Sequence, residues 1–346
     1  MPRTMTVRPR MTQLRPVGAR NNDKTTGRIV RLLRLLPITA RERLVPRPDG
    51  LIRHHFTVDV EDYFQVSALM PYVARESWET RASRLRVGID ILLVLLDERK
   101  VLGTFFVLGW VARHHPQIVR DIAAAGHEVA SHGWGHERVT TLTPDEFRRS
   151  VRSSKCDLED LIGKPIIGYR APSFSIVRGG EWALDILLEE GYRYDSSLYP
   201  VRRPGYGFAG GERDPHRVQR DAGLLHELPP ATLQVGTVVL PAGGGAYFRI
   251  LPYHVVRAAM ASAGLRGVPA TFYIHPWELD PGQPRFKVPL TTRLRHYGGL
   301  ARTLPRLRRL LGEFEFQTIS QTLAENNVWG VTRSYGRSRP VGSKGK

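Results

Sequence analysis

The sequence predicts an α/β fold in which a parallel sheet, open or closed as a barrel, carries its helices on the outside. Two observations lead to this class. Short apolar runs that suit buried strands alternate with longer amphipathic segments that suit helices. Polar residues also follow several predicted strands, at the sheet edge where α/β proteins assemble their sites. With 346 residues, 41% of them hydrophobic, the chain can bury the core of one large domain or two smaller ones.

The predicted strands and helices follow one another in β/α order from residue 54 onwards. One helix is indicated by Leu85, Ile89, Leu92 and Leu96, which share a helical face. A later helix opens on the capping-box sequence Thr143-Pro144-Asp145-Glu146. Residues 203–215, rich in Gly and Pro, are predicted to form a lid or a surface loop. Strands are predicted at residues 54–59, 101–108, 127–132, 165–170, 192–195, 225–228, 237–240 and 270–275.

The chain is strongly basic, with a net charge of +18, and much of this charge lies near its ends. Residues 1–50 hold eleven Arg and one Lys against three acidic residues, and residues 332–346 hold five basic residues and no acid. We predict that segments 1–50 and 331–346 are disordered basic extensions; peripheral association with a membrane or an acidic polymer is the alternative. A specific nucleic-acid binder is not expected, because the sequence shows none of the usual binding motifs.

The cellular location is predicted from what the sequence lacks. The single cysteine, Cys156, cannot form an intramolecular disulfide. The first residues scatter Arg through polar sequence instead of forming the apolar run of a secretory signal. No segment reaches the roughly 18 apolar residues of a membrane-spanning helix. We therefore predict a cytoplasmic protein.

Two short segments carry the strongest chemical signal. Thr57-Val58-Asp59-Val60-Glu61-Asp62 places three carboxylates at the end of a predicted strand, and Ser131-His132-Gly133-Trp134-Gly135-His136 places two imidazoles four residues apart. Two imidazoles and a carboxylate can hold a divalent metal ion, while a second carboxylate acts on the bound water. The pair of segments therefore predicts a metal-dependent hydrolase.

Five polar residues stand at the C-terminal ends of five predicted strands. Ionisable groups at such positions are costly unless they have partners, so core packing alone explains the set poorly. For any single member a structural role, such as a strand cap, a salt bridge or a satisfied core histidine, remains the alternative. The five residues are Asp59, His132, Arg170, Asp195 and His275.

The ordered motifs resemble those of the NodB-type polysaccharide deacetylases, carbohydrate esterase family 4, over residues 53–276. They are Thr57-Val58-Asp59-Val60-Glu61, Ser131-His132-Gly133-Trp134-Gly135-His136, Arg170-Ala171-Pro172-Ser173-Phe174, Tyr194-Asp195-Ser196-Ser197 and Ile274-His275-Pro276. Residues 58–64 and 272–278 are similar to the branch found beside exosortase and exopolysaccharide gene clusters. The resemblance implies a distorted (β/α) barrel domain over residues 51–276 and a family-specific region over residues 277–330, packed on the barrel.

The resemblance also implies a role for each motif residue. Glu61, His132 and His136 would bind one divalent metal ion, with Asp62 in reserve as the carboxylate ligand. The ion would be Zn²⁺, with Co²⁺ or Ni²⁺ as substitutes. Asp59 would act as the general base, and Arg170 would orient it through a hydrogen bond.

Further roles concern the leaving group and the sugar. His275 would act as the general acid, held cationic by Asp195, and the backbone N–H of Ser173 would face the oxyanion. The aromatic residues chosen as a substrate platform are Tyr63, Phe174 and Trp277, from a larger set that also includes Phe64, Trp134 and Tyr247.

The predicted function is removal of N-acetyl groups from an amino-sugar polysaccharide, an exopolysaccharide or its precursor, with an N-acetylated glycan as the binding partner. The sequence leaves two alternatives open. One is hydrolysis of a small cyclic amide or formamide, and the other is an inactive relative that only binds carbohydrate. Metal content and acetate release distinguish the three.

Overall fold

A computed structural model describes residues 52–203, 205–325 and 331–336. The predicted extension 1–50 lies outside the described residues, as do positions 337–346 of the predicted tail. The first half of the described chain alternates strands and helices. The strands are β1 His54–Val60, β2 Thr104–Val107, β3 Glu128–Ser131, β4 Gly168–Tyr169 and β5 Tyr194–Asp195. The helices are α1 Leu85–Glu98, α2 Gly109–His114, α3 Pro116–Ala124, α4 Pro144–Ile162 and α5 Trp182–Glu189.

The second half adds two antiparallel hairpins and a helical region. Its strands are β6 His216–Arg220, β7 Gly223–Glu227, β8 Thr232–Val235, β9 Val238–Pro241, β10 Thr271–Ile274, β11 Phe316–Gln317 and β12 Thr332–Arg333. Its helices are α6 Gly245–Ile250, α7 Tyr253–Leu265, α8 Leu290–Tyr297, α9 Thr303–Glu313 and α10 Ile319–Ala324.

Ten strands form one mostly parallel sheet. Their order is β10-β1-β2-β3-β4-β5-β7-β6-β12, with β11 also paired to β1, and within the described residues β6–β7 is the one antiparallel pair of this sheet. Beyond β7, two isolated parallel bridges join Pro230 to Thr271 and Gly244 to Tyr273, so the chain after β7 also contacts the free edge of β10. A parallel sheet with helices between its strands confirms the predicted α/β class.

The local sequence explains why these elements form. All seven residues of β1 are buried, as expected for a central strand covered on both faces. The apolar stripe predicted for α1 is buried along its length. Helix α4 begins with the predicted capping box, in which Thr143 and Glu146 satisfy each other's backbone N–H groups, and it ends at Gly163 with a left-handed φ of 67°.

Three sequence predictions differ from the fold. The strand predicted at 165–170 is reduced to Gly168–Tyr169, because these two residues are the part of the segment that pairs with β3 and β5. The strand predicted at 225–228 is one arm of a hairpin whose other arm, β6, was not predicted. Residues 331–336 are ordered: β12 pairs with β6 and Tyr335 is buried, so the first part of the predicted tail belongs to the folded unit.

None of the helices in residues 52–203, 205–325 and 331–336 has both the length and the apolar character needed to cross a bilayer.

Candidate functional site

The parallel register gathers the predicted site residues at one edge of the sheet. Asp59 lies at the end of β1, His132 directly follows β3, Arg170 follows β4 and His275 follows β10. Because β1, β2, β3, β4 and β10 are parallel, their carboxyl ends meet at the same edge. These four side chains are buried or nearly so, and Asp59, His132 and His275 line one cleft.

Glu61, His132 and His136 form a group of potential metal ligands. One donor atom from each lies within 4.8 Å of the others, and all three residues are buried. The chain reverses sharply between the two histidines, with φ of 75° at Gly133 and 62° at His136. This turn lets two imidazoles four residues apart face the same point although they do not lie on a helix.

Hydrogen bonds orient two of these three ligands. Nδ1 of His132 is 2.8 Å from the Arg170 carbonyl, so it donates its proton there and leaves Nε2 as the free lone pair. Burial, the largest influence, lowers the pKa of His132 to about 4, which keeps the imidazole neutral. Trp277 Nε1 donates to Oε1 of Glu61 at 3.1 Å. Burial alone would raise the pKa of Glu61, but the nearby His136, His275 and His132 hold it well below the usual range.

The donor set fits a zinc-type ion. Oε2 of Glu61 is buried without a hydrogen-bond partner among the described residues, and it lies 2.6 Å from Nε2 of His136. Two neutral imidazoles and one carboxylate are the ligands of many catalytic zinc sites. His136 departs from the usual arrangement, because its Nδ1 has no hydrogen-bond partner in the described structure.

Asp62, the reserve ligand, points away from this group. Its Oδ1 accepts the Tyr63 N–H at 2.8 Å, and its Oδ2 accepts the Arg84 N–H at 3.1 Å as well as the Ser83 hydroxyl. These contacts tie the loop after β1 to the start of α1. The reserve assignment is therefore wrong for this structure, because the backbone at the start of α1 occupies the Asp62 carboxylate.

Arg170 holds the Asp59 carboxylate in position through a hydrogen bond. Its Nη1 donates to Asp59 Oδ1 and to Thr57 Oγ1, each at 2.7 Å, and its Nη2 donates to Ser196 Oγ at 2.8 Å. The guanidinium is fully buried and also packs 4.1 Å from the Phe106 ring centre. This buried, charge-assisted bond occupies Oδ1, so the other oxygen of Asp59 is the one available for chemistry.

His275 has a carboxylate partner, but that partner is Glu278. Nδ1 of His275 is 2.8 Å from Glu278 Oε2, and Glu278 Oε1 accepts a hydrogen bond from buried Arg249. Nε2 of His275 faces the cleft, 3.5 Å from Glu61 Oε1 and 3.8 Å from Asp59 Oδ2. Burial alone would lower the pKa of His275, but Glu278, with help from Glu61 and Asp59, raises it to about 9.

The prediction that Asp195 holds His275 cationic is therefore wrong. Asp195 lies on β5, and four strands separate β5 from β10 in the sheet order. Its register partner on β7 is Glu227, and the two buried carboxyl groups interact with each other. The hydroxyl of Ser197 donates to Asp195, and the Leu198 N–H donates to Glu227 at 3.0 Å. Burial, and for Glu227 also the charge of Asp195, raises the pKa of both carboxyl groups.

The remaining predicted residues divide between the cleft and the core. Ser173 lines the cleft with a left-handed φ of 57°, and its hydroxyl is 2.6 Å from that of Ser67. Phe174 also lines the cleft and packs edge-on against Tyr273. Trp277 lines it too, but stacks on His275 at 5.2 Å. Tyr63 is absent from the lining, because it packs into the core against Phe286 at 5.9 Å.

Several residues of the site were missed from the sequence. Glu278 stands three residues after His275, a spacing that one 3-10 turn at Pro276–Leu279 brings together. This His-x-x-Glu spacing was the available signal. The others line the cleft from loops, from α6 and from α8, and no local pattern marks them: Arg138, Tyr206, Arg249, Arg295 and His296.

Comparison with known families agrees with this geometry. Residues 89–184 match the family model described as polysaccharide deacetylase, and residues 196–324 match one described as a domain of unknown function, DUF3473. The first match includes His132 and His136. The match over residues 89–184 confirms the predicted resemblance to the polysaccharide deacetylases.

Two curated relatives match part of the chain. A peptidoglycan deacetylase of Helicobacter pylori is 33% identical over 114 residues, 32% of this chain and 37% of the relative. A chitooligosaccharide deacetylase of Rhizobium leguminosarum bv. trifolii is 31% identical over 110 residues, 32% of this chain and 47% of the relative. The alignments thus span less than half of either relative.

A solved structure covers more of the chain. A Mycobacterium smegmatis protein assigned by inference to the polysaccharide deacetylases superposes with a TM-score of 0.56 and 26% identity, over 84% of this chain and 96% of that one. This likeness includes most of the described residues and agrees with the mostly parallel sheet.

Proposed function

We propose that the chain is a metal-dependent hydrolase that removes N-acetyl groups from an amino-sugar polysaccharide. The observation that carries the proposal is the convergence of three potential metal ligands with an arginine-bound aspartate and a carboxylate-bound histidine in one cleft. These are the parts that amide hydrolysis needs: a site for an ion, a base and an acid.

The metal would be held by Glu61, His132 and His136, and we propose Zn²⁺ because two imidazoles and a carboxylate suit it. When bound, such an ion supplies Lewis-acid polarisation and lowers the pKa of a water molecule. Two hydrogen bonds hold the ligands in position: His132 Nδ1 donates to the Arg170 carbonyl, and the Trp277 indole donates to one oxygen of Glu61.

Asp59 takes the role of general base. Arg170 occupies its Oδ1, so its Oδ2, which faces His275 across the cleft, accepts the proton of the attacking water. General-base catalysis of this type contributes about two to four orders of magnitude to a rate.

His275 takes the role of general acid. Its Nδ1 proton is bound to Glu278, so the proton on Nε2, on the cleft side, can be donated to the departing amine. The pKa of about 9 keeps this proton in place at neutral pH. Ser173 also lines the cleft, and we propose that its backbone N–H faces the oxygen that becomes negative during attack.

The substrate class is proposed from the relatives and from the family resemblance. The named activities of the two relatives concern peptidoglycan and chitooligosaccharides, both glycans with N-acetylated sugars. We propose an exopolysaccharide or its precursor, in keeping with the resemblance to the exosortase-associated branch and the DUF3473 match at residues 196–324. We also propose a deacetylase domain at 51–276 and a family-specific region at 277–330, which contributes Trp277 and Arg295 to the cleft.

A cytoplasmic location and peripheral binding to a membrane or acidic polymer through the basic extensions also remain part of the proposal. Co-sedimentation with anionic vesicles, compared with neutral vesicles, tests the second point. Binding that disappears when residues 1–50 are deleted supports it, and equal binding after the deletion contradicts it.

Metal analysis and acetate release test the main proposal. The purified protein should contain one equivalent of a divalent metal and release acetate from at least one member of a panel of N-acetylated glycans. Chelation should abolish this release, and added Zn²⁺ should restore it. Turnover of a cyclic amide alone would favour the cyclic-amide alternative, and glycan binding without any turnover would favour the inactive relative.

A further inference from the structure

Three arginines near the mouth of the cleft have no anionic partner in the described structure. Arg138 and Arg295 line the cleft, and Arg203 lies beside it on the loop that carries Tyr206. No side-chain nitrogen of the three donates a hydrogen bond or forms an ion pair within residues 52–203, 205–325 and 331–336. For Arg138 and Arg203, Nε is buried as well as unpaired.

The contrast with the other arginines of the site is informative. Arg170 and Arg249 are fully buried, and both are fully engaged: Arg170 binds Asp59, and Arg249 binds Glu278 and three carbonyls of the α8 region. Arg138 and Arg203 are half-buried, and Arg295 is exposed. A buried guanidinium nitrogen without a partner costs free energy, so it calls for an explanation. A ligand that supplies the missing acceptors is such an explanation.

The three arginines belong to one connected surface. The hydroxyls of Tyr206 and Tyr247 are 2.6 Å apart. The Arg295 guanidinium carbon lies 5.9 Å from the Tyr206 ring centre, and that of Arg203 lies 6.0 Å from the Tyr247 ring centre.

Arg138 also approaches the loop that carries Tyr206. A Cβ placed at Gly205 would be 3.3 Å from Arg138 Nη1. We name the surface formed by Arg138, Arg203, Tyr206, Tyr247 and Arg295 the arginine rim.

We infer that the arginine rim binds an oxyanion on the substrate, so that the preferred glycan carries a carboxylate or phosphate close to its N-acetylated sugar. This inference rests on the proposed function and narrows its substrate class. Guanidinium groups suit carboxylate and phosphate because their planar forks match the spacing of two oxygens. The two tyrosine hydroxyls add neutral donors beside the cations. Because the rim and the metal ligands share one cleft, one bound glycan can reach both.

The test compares three probes that share an N-acetylglucosamine but differ in charge. A hyaluronan tetrasaccharide carries carboxylates, UDP-N-acetylglucosamine carries phosphates, and chitotetraose is neutral. Equilibrium binding is measured by calorimetry on the Asp59→Asn protein, which should bind without turnover. We expect at least one anionic probe to bind roughly tenfold tighter than chitotetraose, the effect of one charged hydrogen bond. Tighter binding of hyaluronan would identify the oxyanion as a carboxylate, and tighter binding of the nucleotide sugar would identify it as a phosphate.

Matched arginine variants separate the rim from the general positive charge of the protein. Arg295→Gln should remove most of the preference for the anionic probe and leave chitotetraose binding unchanged. Arg293 is exposed on the same helix and does not line the cleft, so Arg293→Gln should change neither the preference for the anionic probe nor the binding of chitotetraose. Arg138→Gln provides a second rim variant.

Two results would overturn the inference: equal binding of all three probes, or an equal loss in Arg293→Gln and Arg295→Gln. Acetate release by the wild-type protein is measured in parallel. Absence of release from every glycan, with the rim preference intact, would count against the proposed deacetylation and not against the anion site.

Discussion

Nδ1 of His275 lies 2.8 Å from Oε2 of Glu278, and the same oxygen accepts the His275 backbone N–H at 3.0 Å. A single carboxylate oxygen thus fixes both the ring and the main chain of the proposed acid. Arg249 holds the other oxygen, and together with His275 it lowers the pKa of Glu278 to about 2, although burial alone would raise that pKa. Glu278 is therefore ionised throughout the pH range in which enzymes are assayed.

This pair predicts the alkaline limb of the pH–rate profile. His275 acts in its protonated form, so activity should fall as pH rises through its pKa of about 9. Glu278→Gln removes the main stabilising charge, lowers that pKa and should move the limb to lower pH by about one unit or more. The measurement is kcat against pH for both proteins. Asp195→Asn is the control and should leave the limb in place; a shift in Asp195→Asn alone would make Asp195, not Glu278, the group that supports His275.

Asp59→Asn should separate catalysis from metal binding. The asparagine can still accept the hydrogen bond from Arg170, but it cannot take a proton from water. We expect turnover to fall by about two to four orders of magnitude with one equivalent of metal retained. Asp62→Asn serves as the comparison, because Asp62 binds the start of α1, and it should keep both metal and turnover. Loss of metal in Asp62→Asn with the fold intact would mean that the wrong carboxylate was chosen.

The metal assignment is tested most directly at His136. Its Nε2 lies 2.6 Å from Glu61 Oε2, and its Nδ1 has no hydrogen-bond partner in the described structure, so removal of the ring leaves Glu61 and His132 as a two-ligand site. His136→Ala should lose stoichiometric metal and turnover together, as measured by elemental analysis and acetate release. His254→Ala, at an exposed position on α7, controls for the loss of a histidine. A His136→Ala protein with full metal content would rule out this site.

The indole of Trp277 should tune metal affinity without contacting the ion. Trp277→Phe removes the N–H that binds Glu61 Oε1 at 3.1 Å but keeps an aromatic ring between His275 and His296. Loss of a hydrogen bond to a ligand typically weakens metal binding about 10- to 100-fold. Competition with a chelator measures this affinity. Trp182→Phe, which packs against Phe147 on α4, should leave it unchanged; an equal loss in both variants would indicate general destabilisation.

The sequence predicted those site residues whose position is set by the end of a strand. Asp59, His132, Arg170 and His275 follow parallel strands, so register alone brings them to one edge. It misjudged Asp195 because the end of β5 also lies at that edge, and only the pairing of β5 with β7 shows that Asp195 faces Glu227. Tyr206 and Arg295 come from a loop and from α8, distant in sequence, and their position depends on long-range packing that no local pattern encodes.

The Asp195–Glu227 pair predicts how stability depends on pH. Burial, the largest influence, raises the folded-state pKa of both carboxyl groups above their unfolded values, and their mutual repulsion disfavours double ionisation. A raised folded-state pKa contributes stability that is complete below the unfolded value and is lost as pH rises through the folded value. The free energy of unfolding, measured with denaturant, should therefore decrease from mildly acidic to alkaline pH. Glu227→Gln supplies a permanent donor to Asp195 and should flatten this decrease; an unchanged slope would show that the pair does not share a proton.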